Sequence, residues 1–115
     1  RGEVAVMLEG QPQMEVGCHT DVMDSCPKSV AIPMLLRSAN PQIIAVDEIT
    51  QARDLAAMEE AAYCGVRFLA TLHADSADDL HRRPLLQKLQ KMHLFEKAIT
   101  IHMADTLRRY TIRDL

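Results

Sequence analysis

Along the chain the apolar positions change their period, and one run stands apart from the rest. Ile43-Ile44-Ala45-Val46 is unbroken, follows the breaker Pro41, and gives way at once to Asp47 and Glu48. Three of its four residues are β-branched, which predicts a buried parallel strand whose carboxyl end faces a ligand crevice. The next segment, Gln51 to Cys64, is rich in helix formers. Leu55, Met58 and Ala62 recur there at helical spacing, and Gly65 is suited to end the helix. Val66 to Leu72 is again mostly apolar and runs into His73. Strand, helix and strand predict a right-handed βαβ unit with parallel strands.

The flanking segments are shorter in reach. Glu3 to Leu8 is strand-like, and Gly10, Pro12 and Gly17 then break regular structure through about Asp24. Ser29 is suited to cap a short helix running to Arg37 or Ser38, with Pro33 tolerated near its first turn. Beyond His73, Asp75 or Ser76 can cap another helix. Pro84 can open a further one over Leu85 to Met92, with Leu85, Leu86, Leu89 and Met92 as its buried stripe. Ala98 to Met103 alternates as a half-buried strand. A turn at Ala104-Asp105-Thr106 then returns Leu107 to Ile112 antiparallel.

Composition narrows the class of molecule. The 115 residues are 48% hydrophobic and 25% charged, an ordinary globular balance that excludes disorder and collagen. No apolar run approaches the roughly 20 residues of a membrane span, and no signal peptide opens the chain, so the expected compartment is the cytoplasm. A net charge of −3 with interspersed signs, 3% aromatic residues and no Trp leave no footprint for nucleic acid. Cys18, Cys26 and Cys64 form no CxxC pair and suit reduced thiols; a zinc site on Cys18, His19 and Cys26 lacks a fourth ligand. The chain begins at Arg1 directly before a strand-like run, as if cut from a longer protein.

The chemistry converges on the ends of the two predicted strands. In P-loop folds, two consecutive acids after such a strand serve as a Mg²⁺ holder and as the residue that polarises the attacking water, which is the order of Asp47 and Glu48. The plainer reading is a helix cap and a first-turn acid. Thr71, Leu72 and His73 end the neighbouring strand, so polar groups there should share the crevice and can sense a γ-phosphate, His73 by donating a hydrogen bond. Glu3 is either a third acid or an exposed edge carboxylate. Arg37 is either a phosphate contact, one that a neighbouring subunit's site would accept, or a surface ion pair. His19, His81, His93 and His102 have no metal-ligand spacing. Cys26-Pro27-Lys28-Ser29 ends as a phosphate-binding loop does, but Pro27 stands where glycine is essential.

Leu36 to Ile49 and Leu69-Ala70-Thr71-Leu72-His73-Ala74 resemble the Walker B and histidine-box regions of secretion ATPases. More narrowly, Arg1-Gly2-Glu3-Val4-Ala5, Pro12-Gln13, Val16-Gly17, Thr20-Asp21-Val22, Cys26-Pro27-Lys28 and Arg83-Pro84 resemble the stage III sporulation protein AA family. The resemblance covers nearly the whole chain. It implies an α/β fold: a partial RecA-like P-loop NTPase core with a mainly parallel sheet, lacking the P-loop-bearing N-terminal portion, with residues 1–115 the C-terminal part of one ATPase domain. It further implies ATP and Mg²⁺ as cofactors, a hexameric homo-oligomer, and membrane channel proteins of a sporulation complex as partners. The setting would be the inner face of the mother-cell membrane, toward the forespore.

Under that resemblance Asp47 is the Walker B acid and Mg²⁺ ligand, acting through water, Glu48 the catalytic glutamate, and His73 the histidine-box residue. Glu3 and Arg1 fall in the acidic segment after the P-loop, and Arg37 matches an arginine ahead of Walker B. His19, Thr50 and Gly2 depart from the family pattern, where Arg, Gly and Ser are expected. Without the upstream half, this stretch is expected not to hydrolyse ATP unaided. Two other classes stay open: a metal-dependent phosphoesterase using Asp47, Glu48, His73 and Asp75, and a non-catalytic assembly domain.

Overall fold

The computed structural model describes residues 4–74 and 78–115 and divides into two compact units, Arg1–His73 and Ala74–Leu115. The fold is mixed α/β with short sheets, one of them parallel.

The first unit opens on a small hairpin. β1 (Met7–Leu8) pairs antiparallel with β2 (Gln11–Pro12) across Glu9 and Gly10, both at positive φ, +50° and +77°. Two left-handed residues match the twist of such a hairpin; of the strand expected up to Leu8, the described residues from Val4 onward form strand only at Met7–Leu8. A loop follows to α1 (Lys28–Ser38), which starts one residue before Ser29 and takes Pro27 as its N-cap. Pro33 lies mid-helix rather than near the first turn. Its ring removes one helical donor, and Ala31 and Ile32 are nonetheless buried.

β3 (Ile43–Val46), α2 (Ala52–Tyr63) and β4 (Arg67–Ala70) form the predicted strand, helix and strand, and β3 pairs β4 in parallel with Ile43 opposite Arg67 and Val46 opposite Ala70. Alternation along β3 buries Ile44 and Val46 and exposes Ile43 and Ala45. The apolar stripe of α2 is Leu55, Met58 and Ala61, with Leu55 and Met58 fully buried; Ala61, not Ala62, completes it. After α2 the chain reverses through Gly65 at φ +90°. Gly65 N–H donates to Ala62 O at 2.9 Å and Val66 N–H to Ala61 O at 3.2 Å, the paired bonds of a Schellman motif. Buried Ala61 and Val66 supply its apolar contact positions. This turn brings the chain back so that β4 begins beside β3.

In the second unit, α3 (Asp79–Arg82) is followed by α4 (Pro84–Lys91), which opens on Pro84 as its composition predicts. Leu86 and Leu89 are buried, while Leu85 and Met92 are half-buried. Asp79, nearly buried, pairs with Arg83 at 3.3 Å. β5 (Lys97–Ala104) and β6 (Leu107–Asp114) form an antiparallel hairpin closed by Asp105-Thr106. One face carries Ile99, Ile101, Tyr110 and Ile112, all more than 60% exposed. The half-buried strand read from its alternation is therefore open on that face, because a lone two-stranded ribbon covers neither of its own sides.

Candidate functional site at the ends of β3 and β4

Continuing the parallel register one step past Val46 and Ala70 sets Asp47 beside Thr71. Two backbone bonds bracket this step: Thr71 N–H donates to Val46 O at 3.1 Å, and Ile49 N–H donates to Thr71 O at 3.2 Å. Ile49, 5% exposed, pins the chain just beyond the acids. Between those brackets, the Thr71 hydroxyl donates to Asp47 Oδ1 at 2.7 Å and accepts the Glu48 N–H at 3.0 Å. Asp47, Glu48 and Thr71 are all half-buried.

Glu48 sits at φ +53°, a left-handed conformation that L-residues avoid. The backbone turns sharply there, so β3 ends and the chain leaves toward α2. Local polypeptide strain of this kind persists where surrounding contacts determine it, and here the donor bond to Thr71 does so.

The structure thus brings Asp47, Glu48 and Thr71 together, with His73 exposed two positions beyond Thr71 on the same segment. Arg37 is exposed in the last turn of α1, which leads into the amino end of β3, whereas Asp47 and Glu48 follow its carboxyl end. A cleft of about 420 Å³ opens at the amino end, lined by Leu36, Pro41, Cys64 and Arg67 among others, away from the acids. Glu3, Arg1 and Asp75 lie outside the described residues. Cys18, His19 and Cys26 do not gather: among the described residues no three His, Cys, Asp or Glu side chains group as a metal cage.

Two features were missed in the sequence. Asp54, only 4% exposed, sits in the first turn of α2, where the helix dipole favours a negative charge. Its signal was an acid three positions after the N-cap. The double role of the Thr71 hydroxyl had no signal, since its partners are 23 and 24 residues away.

The family model described as Sporulation stage III, protein AA matches residues 1–111. The chain belongs to that family. It is also similar to stage III sporulation protein AA of Bacillus subtilis (strain 168), 36% identical over 104 residues, which is 90% of this chain and 34% of that protein. The chain therefore spans about a third of the length of the curated relative it matches. No solved structure matches the chain. The acids, Thr71 and His73 all fall inside the family match. No helix among the described residues is long and apolar enough to cross a membrane.

Proposed function

We propose that this stage III sporulation AA family member carries the acid-bearing half of an ATP-hydrolysing motor subunit with a RecA-like P-loop core. The observation that supports it best is the pair Asp47-Glu48 at the carboxyl end of a parallel strand pair, tied to the neighbouring strand by one hydroxyl. Open α/β sheets bind ligands in that crevice.

Mg²⁺ bound with one carboxylate and substrate phosphates needs no all-protein cage, and Asp47, an acid with one oxygen oriented by Thr71, suits that donor set. Bound there, the ion would neutralise charge on the phosphates. Glu48, turned by its left-handed backbone away from the strand direction, is the group to orient and polarise water. His73, exposed beyond Thr71, is the donor to a phosphate oxygen. Arg37, exposed in the last turn of α1 ahead of β3, acts in this reading across a subunit boundary, in a hexameric ring. The ring would couple hydrolysis to a membrane channel complex between mother cell and forespore, from the cytoplasmic face.

The test is Glu48→Gln in the complete protein. ATP binding stays within about threefold of the parent while turnover falls by about 100-fold or more, the scale of a lost general base. Unchanged turnover in the variant would overturn the reading.

A further inference from the structure

We infer that Thr71 is a positioning residue which holds Asp47 and Glu48 in register with each other, rather than a group that touches phosphate. The inference rests on the ATPase reading for its kinetic consequences, and its geometry stands apart from that reading. A threonine hydroxyl has one proton and two acceptor lone pairs. The proton is given to Asp47 Oδ1 at 2.7 Å, and a lone pair takes the Glu48 N–H at 3.0 Å. With its proton committed to Asp47, the hydroxyl has none to donate to a phosphate oxygen, so the sensing of substrate passes to other groups.

The consequence of this arrangement is that one atom sets two geometries at once. The bond to Asp47 fixes one oxygen of a carboxylate that sits on two rotatable side-chain bonds, χ1 and χ2. The bond from Glu48 satisfies the N–H at the residue with positive φ and so holds the turn that aims the Glu48 side chain. The backbone bonds of Thr71 to Val46 and Ile49 do not involve the hydroxyl. Removing the oxygen alone therefore leaves the strand pairing in place while both acids lose their common reference. Supporting groups of this kind around a metal-binding acid typically carry 10–100-fold in metal affinity or activity, and that is the scale expected here, about 10–100-fold.

The experiment compares Thr71→Val, which keeps the β-branched shape without the oxygen, with Thr71→Ser, which keeps the oxygen, in the complete protein. Two readouts are taken: the Mg²⁺ and ATP dependence of turnover, and hydrogen–deuterium exchange of the Glu48 amide without nucleotide. Thr71→Val is expected to lower kcat and raise the Mg²⁺ concentration for half-maximal turnover, together by about 10–100-fold, with the KM for ATP within about threefold. The Glu48 amide exchanges about tenfold or more faster in the same variant, while the Ile49 and Thr71 amides keep their protection. Thr71→Ser restores both readouts to within about threefold. Parent-like kcat and Mg²⁺ dependence in Thr71→Val overturn the inference, as does parent-like Glu48 exchange. If the complete parent protein hydrolyses no ATP, the ATPase reading falls, and the exchange comparison still decides whether Thr71 positions the two acids.

Discussion

The N–H of Glu48 donates to the hydroxyl of Thr71 at 3.0 Å across 23 positions of the chain, and this bond holds Glu48 at φ +53°. A left-handed L-residue costs about 1–2 kcal/mol. Glycine escapes that cost and gives back about 0.5–1 kcal/mol in backbone entropy. Glu48→Gly is therefore expected to stabilise the protein by about 0.5–1 kcal/mol over Glu48→Gln, which keeps the strain and loses the same charge. Thermal melts of the two variants check it; a glycine variant that melts below the glutamine one would show that the turn stores no strain. Both variants lose turnover under the proposed function.

Gly65 turns the chain after α2 at φ +90°, and a Cβ at that position would meet no atom within 4 Å. Any cost of Gly65→Ala is thus conformational, not a clash. The expected loss is about 1–2 kcal/mol, measured by denaturant unfolding of the complete protein. Gly65→Asn should lose less, because asparagine visits this region more readily. Equal losses for the two would mean that the reversal into β4 does not depend on backbone conformation.

Leu55 and Met58 are fully buried on the core face of α2. Truncation of either to alanine removes transfer energy and leaves a cavity, an expected loss of about 2–5 kcal/mol. Ala62, one position off that stripe, is half-buried. Ala62→Ser should cost under about 1 kcal/mol. Comparable destabilisation at Ala62 and Met58 would contradict the observed face of the helix.

On the β5–β6 hairpin, Lys97 Nζ meets Asp114 Oδ1 at 2.6 Å, yet the two side chains are 62% and 84% exposed. Such a pair is short but solvated. A double-mutant cycle on Lys97→Ala and Asp114→Ala is expected to give a coupling of about 0.2–1 kcal/mol that fades as ionic strength rises. A coupling that survives high salt would mean the pair is shielded from water in the complete protein.

Much of the element order in both units was legible because it is written in local terms. A β-branched run ahead of two acids marks β3, helical spacing with a terminal glycine marks α2, and Pro84 opens α4 at the position where its missing N–H costs nothing. Their parallel pairing followed from the helix between the strands, since strands so joined return in the same direction. The two-residue hairpin at Glu9-Gly10 was hidden because a non-glycine residue takes a left-handed position there, which composition does not announce.

What the sequence determined by itself, then, was the kind and order of the main elements and the placement of Asp47 and Glu48 at a strand's end. Periodicity and turn chemistry are properties of neighbours along the chain. Tertiary structure alone decided that Thr71 spends its proton on Asp47, that Glu48 turns left-handed, that Ala61 rather than Ala62 faces the core, and that one face of β5 and β6 stays open. Each of these depends on which distant segment arrives beside which. Hydrogen-bond direction and burial are relations in space, and the spacing of residue types along one strand carries no record of the partner across the gap.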